Sequence, residues 1–107
     1  MVYTVIFVTT KNKTEARKIA QGLLKERLAA CINIMGGVES LFWWQGKIDK
    51  APEALMIIKT KQKLFEKIVS KVKLWHSYQN PEIIALPIQA GSWNYLKWID
   101  ENLCYHA

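Results

Sequence analysis

The sequence predicts an α+β fold in which two amphipathic helices cover one face of an antiparallel sheet. Two observations lead to this prediction: four apolar segments of strand composition, and two longer segments with apolar residues at every third or fourth position. The predicted order is strand, helix, strand, hairpin arm, strand, helix, strand and short helix. This order corresponds to a split βαβ pair with an extended middle hairpin. The chain, residues 1–107, is expected to form a single domain.

The first strand and the first helix follow from the residues at the start of the chain. Residues 3–9 are rich in β-branched and aromatic side chains, which predicts a buried strand. Asn12 and Glu15 have the spacing of a capping box, which marks a helix start. Gly22 interrupts the helix for no reason that the sequence provides. The apolar face of this helix is formed by Ala16, Ile19, Ala20, Leu23, Leu24 and Leu28.

The middle of the chain is predicted to form a long, twisted hairpin arm. Residues 30–35 alternate as a second strand, and this strand is expected to end at the Gly36-Gly37 pair, where a bend or a bulge is possible. Extended structure resumes at residues 39–44. The Gln45-Gly46 pair then provides a turn, and residues 47–49 form a short return segment.

A third core strand and a second helix follow the arm. Residues 54–60 form an apolar strand, and Pro52 lies just before its start, where no backbone N–H is needed for a hydrogen bond to a neighbouring strand. Between positions 59 and 73 there are six lysines and one acid. They indicate either an exposed lysine-rich helix face or a surface for phosphate-bearing partners. The apolar face of the second helix is formed by Leu64, Phe65, Ile68, Val69, Val72 and Trp75.

The last strand and a short closing helix complete the predicted fold. Pro81 prevents the second helix from continuing, and residues 83–88 are predicted to form a strand. Because this strand contains Pro87, it should either lie at an edge of the sheet or contain a bulge. The short helix is the one remaining element that could cover the second face of the sheet, so oligomerisation through that face is expected. Its apolar residues are Tyr95, Leu96, Trp98, Ile99 and Leu103.

Three consecutive aromatic residues in the arm support the same expectation. Phe42, Trp43 and Trp44 must point to both faces of a strand, because successive side chains alternate. Either both faces of the arm are covered or aromatic surface is exposed, and a second subunit is the usual cover. We therefore assign these three residues to contacts between subunits.

The polar loop after the second helix carries the groups best suited to chemistry. His76, Tyr78 and Glu82 lie close together in the sequence. An imidazole is a common metal ligand, and a carboxylate supplies an oxygen ligand or a base. The alternative is that these groups hold the loop together. Catalysis is not expected, since the chain has no Ser-His-acid set, no phosphate-binding glycine loop and no paired carboxylates at one locus.

Five segments of the chain resemble the CutA family of divalent-cation-tolerance proteins, in that family's order and spacing. They are residues 26–34, 40–48, 57–60, 76–88 and 95–99, and the tracts YQNPEIIALP and LAAC are the most specific. The resemblance implies a ferredoxin-like fold related to the PII signal proteins, a homotrimer and a cytoplasmic or organellar location. It also implies binding of copper and other divalent cations, with no known reaction and no required cofactor.

The resemblance indicates His76 as a metal ligand, with Glu82 as an oxygen donor from the same loop. Three positions depart from the family. Ser77 replaces the proline that usually follows the histidine, and Thr9 and Trp75 stand where some copper-binding members have a cysteine and a second histidine. One imidazole and one carboxylate form a weak site unless a neighbouring subunit adds ligands.

The PII relationship implies a second kind of site, in the clefts between subunits. Lys59, Tyr78 and Glu82 would suit a polar or anionic molecule there. The structural alternative is an ion pair between Lys59 and Glu82, with Tyr78 stacked nearby. The alternative function is therefore a structural or signalling trimer that binds a small metabolite.

The expected partners are other copies of the chain and divalent metal ions. A nucleic acid is not expected, because no aromatic RNA-recognition signature occurs on the strands. A membrane is not expected, since no apolar run approaches the roughly 18 residues of a spanning helix. Residues 1–8 also lack the leader of a secreted protein, which predicts a cytoplasmic location.

Overall fold

The structure, a computed structural model, describes residues 2–104 of the chain. Within this range it contains one four-stranded sheet and three α-helices, and a 3-10 turn at Gln62–Leu64 precedes the second helix. The elements in chain order are β1 (Tyr3–Thr10), α1 (Lys13–Lys25), β2 (Cys31–Trp44), β3 (Lys47–Lys61), α2 (Phe65–Trp75), β4 (Ile83–Pro87) and α3 (Trp93–Glu101).

The four strands form an antiparallel sheet in the order β2-β3-β1-β4. Helices α1 and α2 pack on one face, where alternate residues of the two central strands are fully buried. This confirms the predicted α+β fold with both long helices on one side of the sheet. The core formed between the sheet and these helices includes Ile6, Val8, Met56, Ile58, Ile19, Leu23, Ile68 and Val72.

The opposite face of the sheet, which we call the open face, is only partly covered. Ile84 and Leu86 of β4 lie on this face and are exposed. Helix α3 lies at one end of it, where Asp100 forms an ion pair with the buried Lys61 of β3. The short closing helix therefore covers one end of the open face and leaves β4 exposed.

The two ends of the sheet differ. At the α3 end, β1 begins at Tyr3 and β3 ends at Lys61. At the opposite end, β1 stops at Thr10 while β2 and β3 continue as the hairpin arm, and we call this the arm end. Residues 76–82 lie at the arm end, because β4 starts there. Pro87 lies on an edge strand, as its identity predicted.

Helix α1 begins with the predicted cap, in a modified form. The Asn12 side-chain oxygen accepts the backbone N–H of Glu15 at 2.9 Å, which confirms Asn12 as the N-cap. The Glu15 carboxylate reaches back to the N–H of Lys11 at 3.2 Å instead of that of Asn12. This leaves the second carboxylate oxygen of Glu15 available to the loop at residues 76–82.

Gly22 is explained by the packing of α1 against α2. A Cβ atom at this position would lie 2.6 Å from Cζ3 and 2.7 Å from Cη2 of the Trp75 indole. Contacts this short do not occur in unstrained structures. The missing side chain of Gly22 therefore makes room for the ring at the end of α2.

The hairpin arm is more continuous than the sequence predicted, and two strand boundaries were wrong. Strand β2 does not end at the Gly36-Gly37 pair but passes through it as a bulge between Met35 and Val38. Strand β3 includes Pro52, which lies opposite Glu39 on β2. Pro52 is tolerated because β3 extends there beyond the end of β1 and has one neighbouring strand.

The predicted turn at the tip of the arm is confirmed. Gln45 and Gly46 have φ angles of 51° and 78°, both in the left-handed region. Positive φ at both central residues is typical of a type I′ turn, whose twist matches that of the flanking strands. The chain therefore returns directly from Trp44 to Lys47, and these two residues pair across the arm.

Candidate functional site

His76 fastens the loop after α2 to the end of β1. Its side chain is nearly buried, with 9% of the residue exposed. Nε2 lies 2.7 Å from the carbonyl oxygen of Thr9, and Nδ1 lies 3.0 Å from the backbone nitrogen of Tyr78. A carbonyl oxygen only accepts and an amide N–H only donates, so these contacts require a neutral imidazole with its proton on Nε2.

Both ring nitrogens of His76 are therefore engaged within the chain. A metal ion at Nδ1 would displace the amide of Tyr78, and one at Nε2 would displace the hydrogen bond to Thr9. Among residues 2–104, no group of three or more His, Cys, Asp or Glu side chains is placed to hold a metal ion. Residues 2–104 of one chain therefore do not form a closed metal site, and the pairing of His76 with Glu82 at a metal stays a prediction.

Glu15 joins the start of α1 to the same loop. Its Oε2 accepts the backbone N–H of Ser77 at 2.9 Å, while its Oε1 accepts that of Lys11. Burial alone would raise the pKa of Glu15, but the hydrogen bonds from Ser77 and Lys11 outweigh burial and lower this pKa. A proline at position 77 would lack the N–H that makes this bond. Ser77 thus provides a fixed contact where the family resemblance leads one to expect a proline.

Tyr78 connects the loop to the base of the arm. Its hydroxyl group donates to Oε2 of Glu53 at 2.9 Å, and its ring centroid lies 4.8 Å from that of His76. Burial, the hydrogen bond to Glu53 and the charges of Glu53 and Glu15 together raise the pKa of Tyr78 to about 12. The phenol is therefore protonated at neutral pH and acts as a hydrogen-bond donor.

Glu53 also affects Glu82, the second predicted ligand in this loop. Burial and the negative charge of Glu53 raise the pKa of Glu82. Two carboxylates of like charge are thus brought to the arm end by different parts of the chain. Sequence reasoning did not identify Glu53, because it lies 25 residues from Tyr78 and no local pattern marks it. Glu15 was identified through its cap spacing, but its contact with Ser77 was not.

Lys59 is not part of this group of residues. Its Nζ donates to the side-chain oxygen of Asn33 and lies 4.0 Å from Sγ of Cys31. On β3, Lys59 is six positions from Glu53, a distance of about 20 Å along a strand. The ion pair between Lys59 and Glu82 that the sequence left open is therefore absent from the chain. A cleft containing Lys59, Tyr78 and Glu82 would need two subunits and stays a prediction.

The aromatic residues of the arm present surface on both of its faces. Phe42, Trp43 and Trp44 are all exposed, Trp43 to 73% and Trp44 to 59%. Trp43 pairs with Ile48 on one face, and its neighbours point to the other. Within residues 2–104 of a single chain these side chains are thus left exposed, which is one of the two outcomes that the sequence left open. Their assignment to subunit contacts stays a prediction.

Comparison with known proteins identifies the family. Residues 4–102 match the family model described as CutA1 divalent ion tolerance protein. The chain belongs to the CutA1 family. This confirms the resemblance inferred from five sequence segments.

Two relatives illustrate the extent of the CutA1 match. Protein CutA 1, chloroplastic, from Oryza sativa subsp. japonica is 44% identical over 95 residues, which cover 89% of this chain and 54% of the rice protein. The chain thus spans about half the length of that relative. The Divalent-cation tolerance protein CutA of Archaeoglobus fulgidus is 43% identical over 102 residues, which cover 95% of this chain and 99% of that protein.

The fold agrees with a solved CutA1 structure. The crystal structure of CutA1 from Oryza sativa matches with a TM-score of 0.95 and 40% identity, covering 98% of this chain and 96% of that chain. In the part of the chain described here, no helix is long and apolar enough to span a membrane. The α+β architecture is therefore shared over nearly the whole length compared.

Proposed function

We propose that this CutA1-family chain is one subunit of a homotrimeric divalent-cation-tolerance protein with a ferredoxin-like, PII-related arrangement of strands and helices. The trimer binds copper or another divalent cation in the cytoplasm and catalyses no reaction. The name of the Archaeoglobus fulgidus relative, a divalent-cation tolerance protein, supports the general role. The surface of the chain supports the assembly.

One observation supports the proposed assembly into a trimer: the arm and the open face both expose large apolar side chains. Leu41, Trp43 and Ile48 are exposed on one face of the arm, and Ile84 and Leu86 are exposed on the sheet. Extended apolar surface of this kind marks a site of protein–protein contact. A closed symmetric assembly covers the same patch on every subunit, which removes all of this surface from water.

Sedimentation equilibrium tests the assembly. We expect a mass three times the 12.4 kDa of the chain. We expect Trp44→Ala to dissociate at a lower denaturant concentration than the parent, because it removes an exposed indole from the interface. Lys47→Ala, at the position paired with Trp44, is the matched control and should assemble like the parent. A parent that sediments as a monomer would contradict the proposal. So would a Trp44→Ala protein that stays trimeric up to the same denaturant concentration as the parent.

Copper titration with electron paramagnetic resonance tests the metal site. If His76 binds copper, His76→Gln removes the nitrogen ligand, which should weaken binding by roughly tenfold or more and remove the nitrogen hyperfine signal. Glu82→Gln should weaken binding by a smaller factor, because an amide oxygen carries no charge. Gln79→Ala, exposed in the same loop, is the control. Equal binding by His76→Gln and the parent would exclude His76, and a parent without affinity would exclude the metal role.

A further inference from the structure

The helical side of the molecule carries the whole net positive charge of the chain. Residues 11–27 and 62–75 contain ten basic and three acidic residues, a balance of +7, whereas the complete chain has a net charge of +6. The remaining residues are therefore slightly acidic in total. The ten basic residues are Lys11, Lys13, Arg17, Lys18, Lys25, Arg27, Lys63, Lys67, Lys71 and Lys73.

The fold brings these two basic segments together. Helices α1 and α2 lie side by side on one face of the sheet, where Glu26 and Lys71 form an ion pair at 3.3 Å. The Trp75 ring packs against Gly22 at the same junction. The outward sides of the two helices thus form one continuous surface, which we call the basic layer.

The three acidic residues of the basic layer are too few to balance its ten cations. Glu15 is engaged by the backbone N–H groups of Lys11 and Ser77. Glu26 is paired with Lys71, and Glu66 is the third acid. Exposed cations such as Lys18 and Lys67 therefore contribute to a positive field over both helices.

The packing of the helices favours a rigid polyanion over a membrane surface. A helix that binds a membrane inserts its apolar face among the lipids. In this structure the apolar faces of α1 and α2 are buried against the sheet, as Leu23 and Ile68 show. On the outer side, Leu24 of α1 and Leu74 of α2 are exposed, but one exposed leucine on each helix is less than the continuous apolar face that an inserting helix needs. The basic layer can therefore contact phosphates by charge.

The composition of the basic layer also indicates the form of the polyanion. Eight of its ten cations are lysines, which contact phosphates as point charges and carry little information about base sequence. Single-strand binding uses aromatic platforms for the bases. Trp75, the aromatic residue at this surface, is packed against Gly22 and lies beneath Lys71. These features match the outer backbone of a duplex.

We propose that the basic layer binds the phosphate backbone of a nucleic acid duplex without sequence preference. The absence of a stacking signature on the strands is consistent with this, since that signature concerns base recognition by the sheet. The basic layer lies on the helical side of the sheet, opposite the open face. It reaches the arm end, where Lys13 lies against Gly36 and Glu15 bonds to Ser77, so the test below uses exposed lysines that the proposed assembly and metal sites do not include.

Fluorescence anisotropy with a labelled DNA duplex of random sequence tests the proposal. If roughly five phosphates are contacted, the affinity should fall by about 500-fold between about 50 and about 200 mM salt. The dissociation constant at the higher salt concentration should lie in the range of about 10⁻⁴ to 10⁻⁶ M. No binding at the lower salt concentration would overturn the proposal.

Two triple variants of equal net charge locate the binding surface. The variant Lys18→Gln, Lys67→Gln, Lys73→Gln removes three exposed cations from the basic layer, which should weaken binding by about tenfold or more and flatten the salt dependence. The control Lys47→Gln, Lys50→Gln, Lys97→Gln removes three exposed cations elsewhere and should bind like the parent. Circular dichroism confirms the fold of both.

Two results would overturn either the proposed position of the binding surface or the proposal that its partner is a nucleic acid duplex. Equal weakening by the two triple variants would show that net charge alone determines binding. Tighter binding to vesicles that contain phosphatidylserine than to the duplex, with the same dependence on the basic layer, would assign the surface to a membrane instead. Failure of copper binding or of trimer formation would leave these measurements unaffected.

Discussion

The two faces of the sheet are built from similar residues but have different surroundings. Ile58 on the helix-covered face is 0% exposed, whereas Ile84 on the open face is 50% exposed. Helices α1 and α2 cover the first face within the chain, and among residues 2–104 no element of comparable size covers the second. The comparison shows that strand composition identifies an apolar surface, while the elements packed on it decide whether it belongs to the core.

The largest expected effect compares these two faces directly. Ile58→Ala should reduce the free energy of unfolding by about 2–5 kcal/mol, because it leaves a cavity in a fully buried site. Ile84→Ala removes the same atoms from an exposed site and should mainly weaken association. Denaturant unfolding and sedimentation of both variants measure the difference. Equal losses of unfolding free energy would contradict the distinction between the two faces.

The packing of the covered side is tested at Gly22. Gly22→Ala gains helix propensity, but its Cβ would meet the Trp75 ring at 2.6 Å. We expect a net loss of unfolding free energy of about 1–3 kcal/mol from overpacking. In a Trp75→Leu background the same substitution should be neutral or stabilising. Thermal unfolding of the four proteins in this cycle measures the coupling, and a more stable Gly22→Ala single variant would disprove the steric explanation.

The contact between the loop and the sheet is tested at His76. His76→Ala leaves the carbonyl group of Thr9 and the amide of Tyr78 without this partner, which should cost about 1–2 kcal/mol of unfolding free energy. Gln79→Ala, in the exposed part of the loop, should have almost no effect. Amide hydrogen exchange at Tyr78 should accelerate in His76→Ala alone. An unchanged exchange rate would show that His76 does not hold the loop to the sheet.

The smallest expected effect is the pH dependence at Glu82. Because burial and Glu53 raise the pKa of Glu82, the folded chain resists ionisation of this group. The stability that protonated Glu82 contributes is therefore lost as the pH rises from the pKa of Glu82 in the unfolded chain through its higher pKa in the folded chain. Glu82→Gln should be more stable than the parent at neutral pH by less than about 0.5 kcal/mol, because the Glu82 side chain is only partly withdrawn from water and solvent screens its interaction with Glu53.

The advantage of Glu82→Gln should disappear in acid, where both states of the parent are protonated. Thermal unfolding at neutral and acid pH measures this dependence, and Glu39→Gln on β2 serves as an exposed control. An advantage that grows toward acid pH would mean that the sign of the Glu82 effect is wrong.

The elements were predictable because their signals are local. The alternation in β1 and the apolar periodicity of α1 and α2 are read within a few residues, and the turn at Gln45 and Gly46 is marked by its glycine, which adopts positive φ readily. The predicted strand boundaries at Gly36 and Pro52 were wrong because they depend on contacts that are not local. Whether a strand tolerates a glycine pair or a proline depends on which neighbouring strands are present.

The candidate site was predictable only in part. The sequence identified His76, Tyr78 and Glu82 as the polar groups of one loop. It did not identify Glu53, or that Thr9 supplies the carbonyl group that accepts from His76. These partners come from other strands, so no spacing rule connects them to the loop.

The sequence by itself determined the kinds of element, their order, the family and the presence of apolar surface beyond the needs of one core. Those properties follow from local periodicity, composition and matching motifs. Tertiary structure decided which apolar residues are covered, that both nitrogens of His76 are engaged, and that two separate basic segments form one surface. These outcomes depend on contacts between residues distant in the chain, and such contacts exist only after the helices have packed on the sheet.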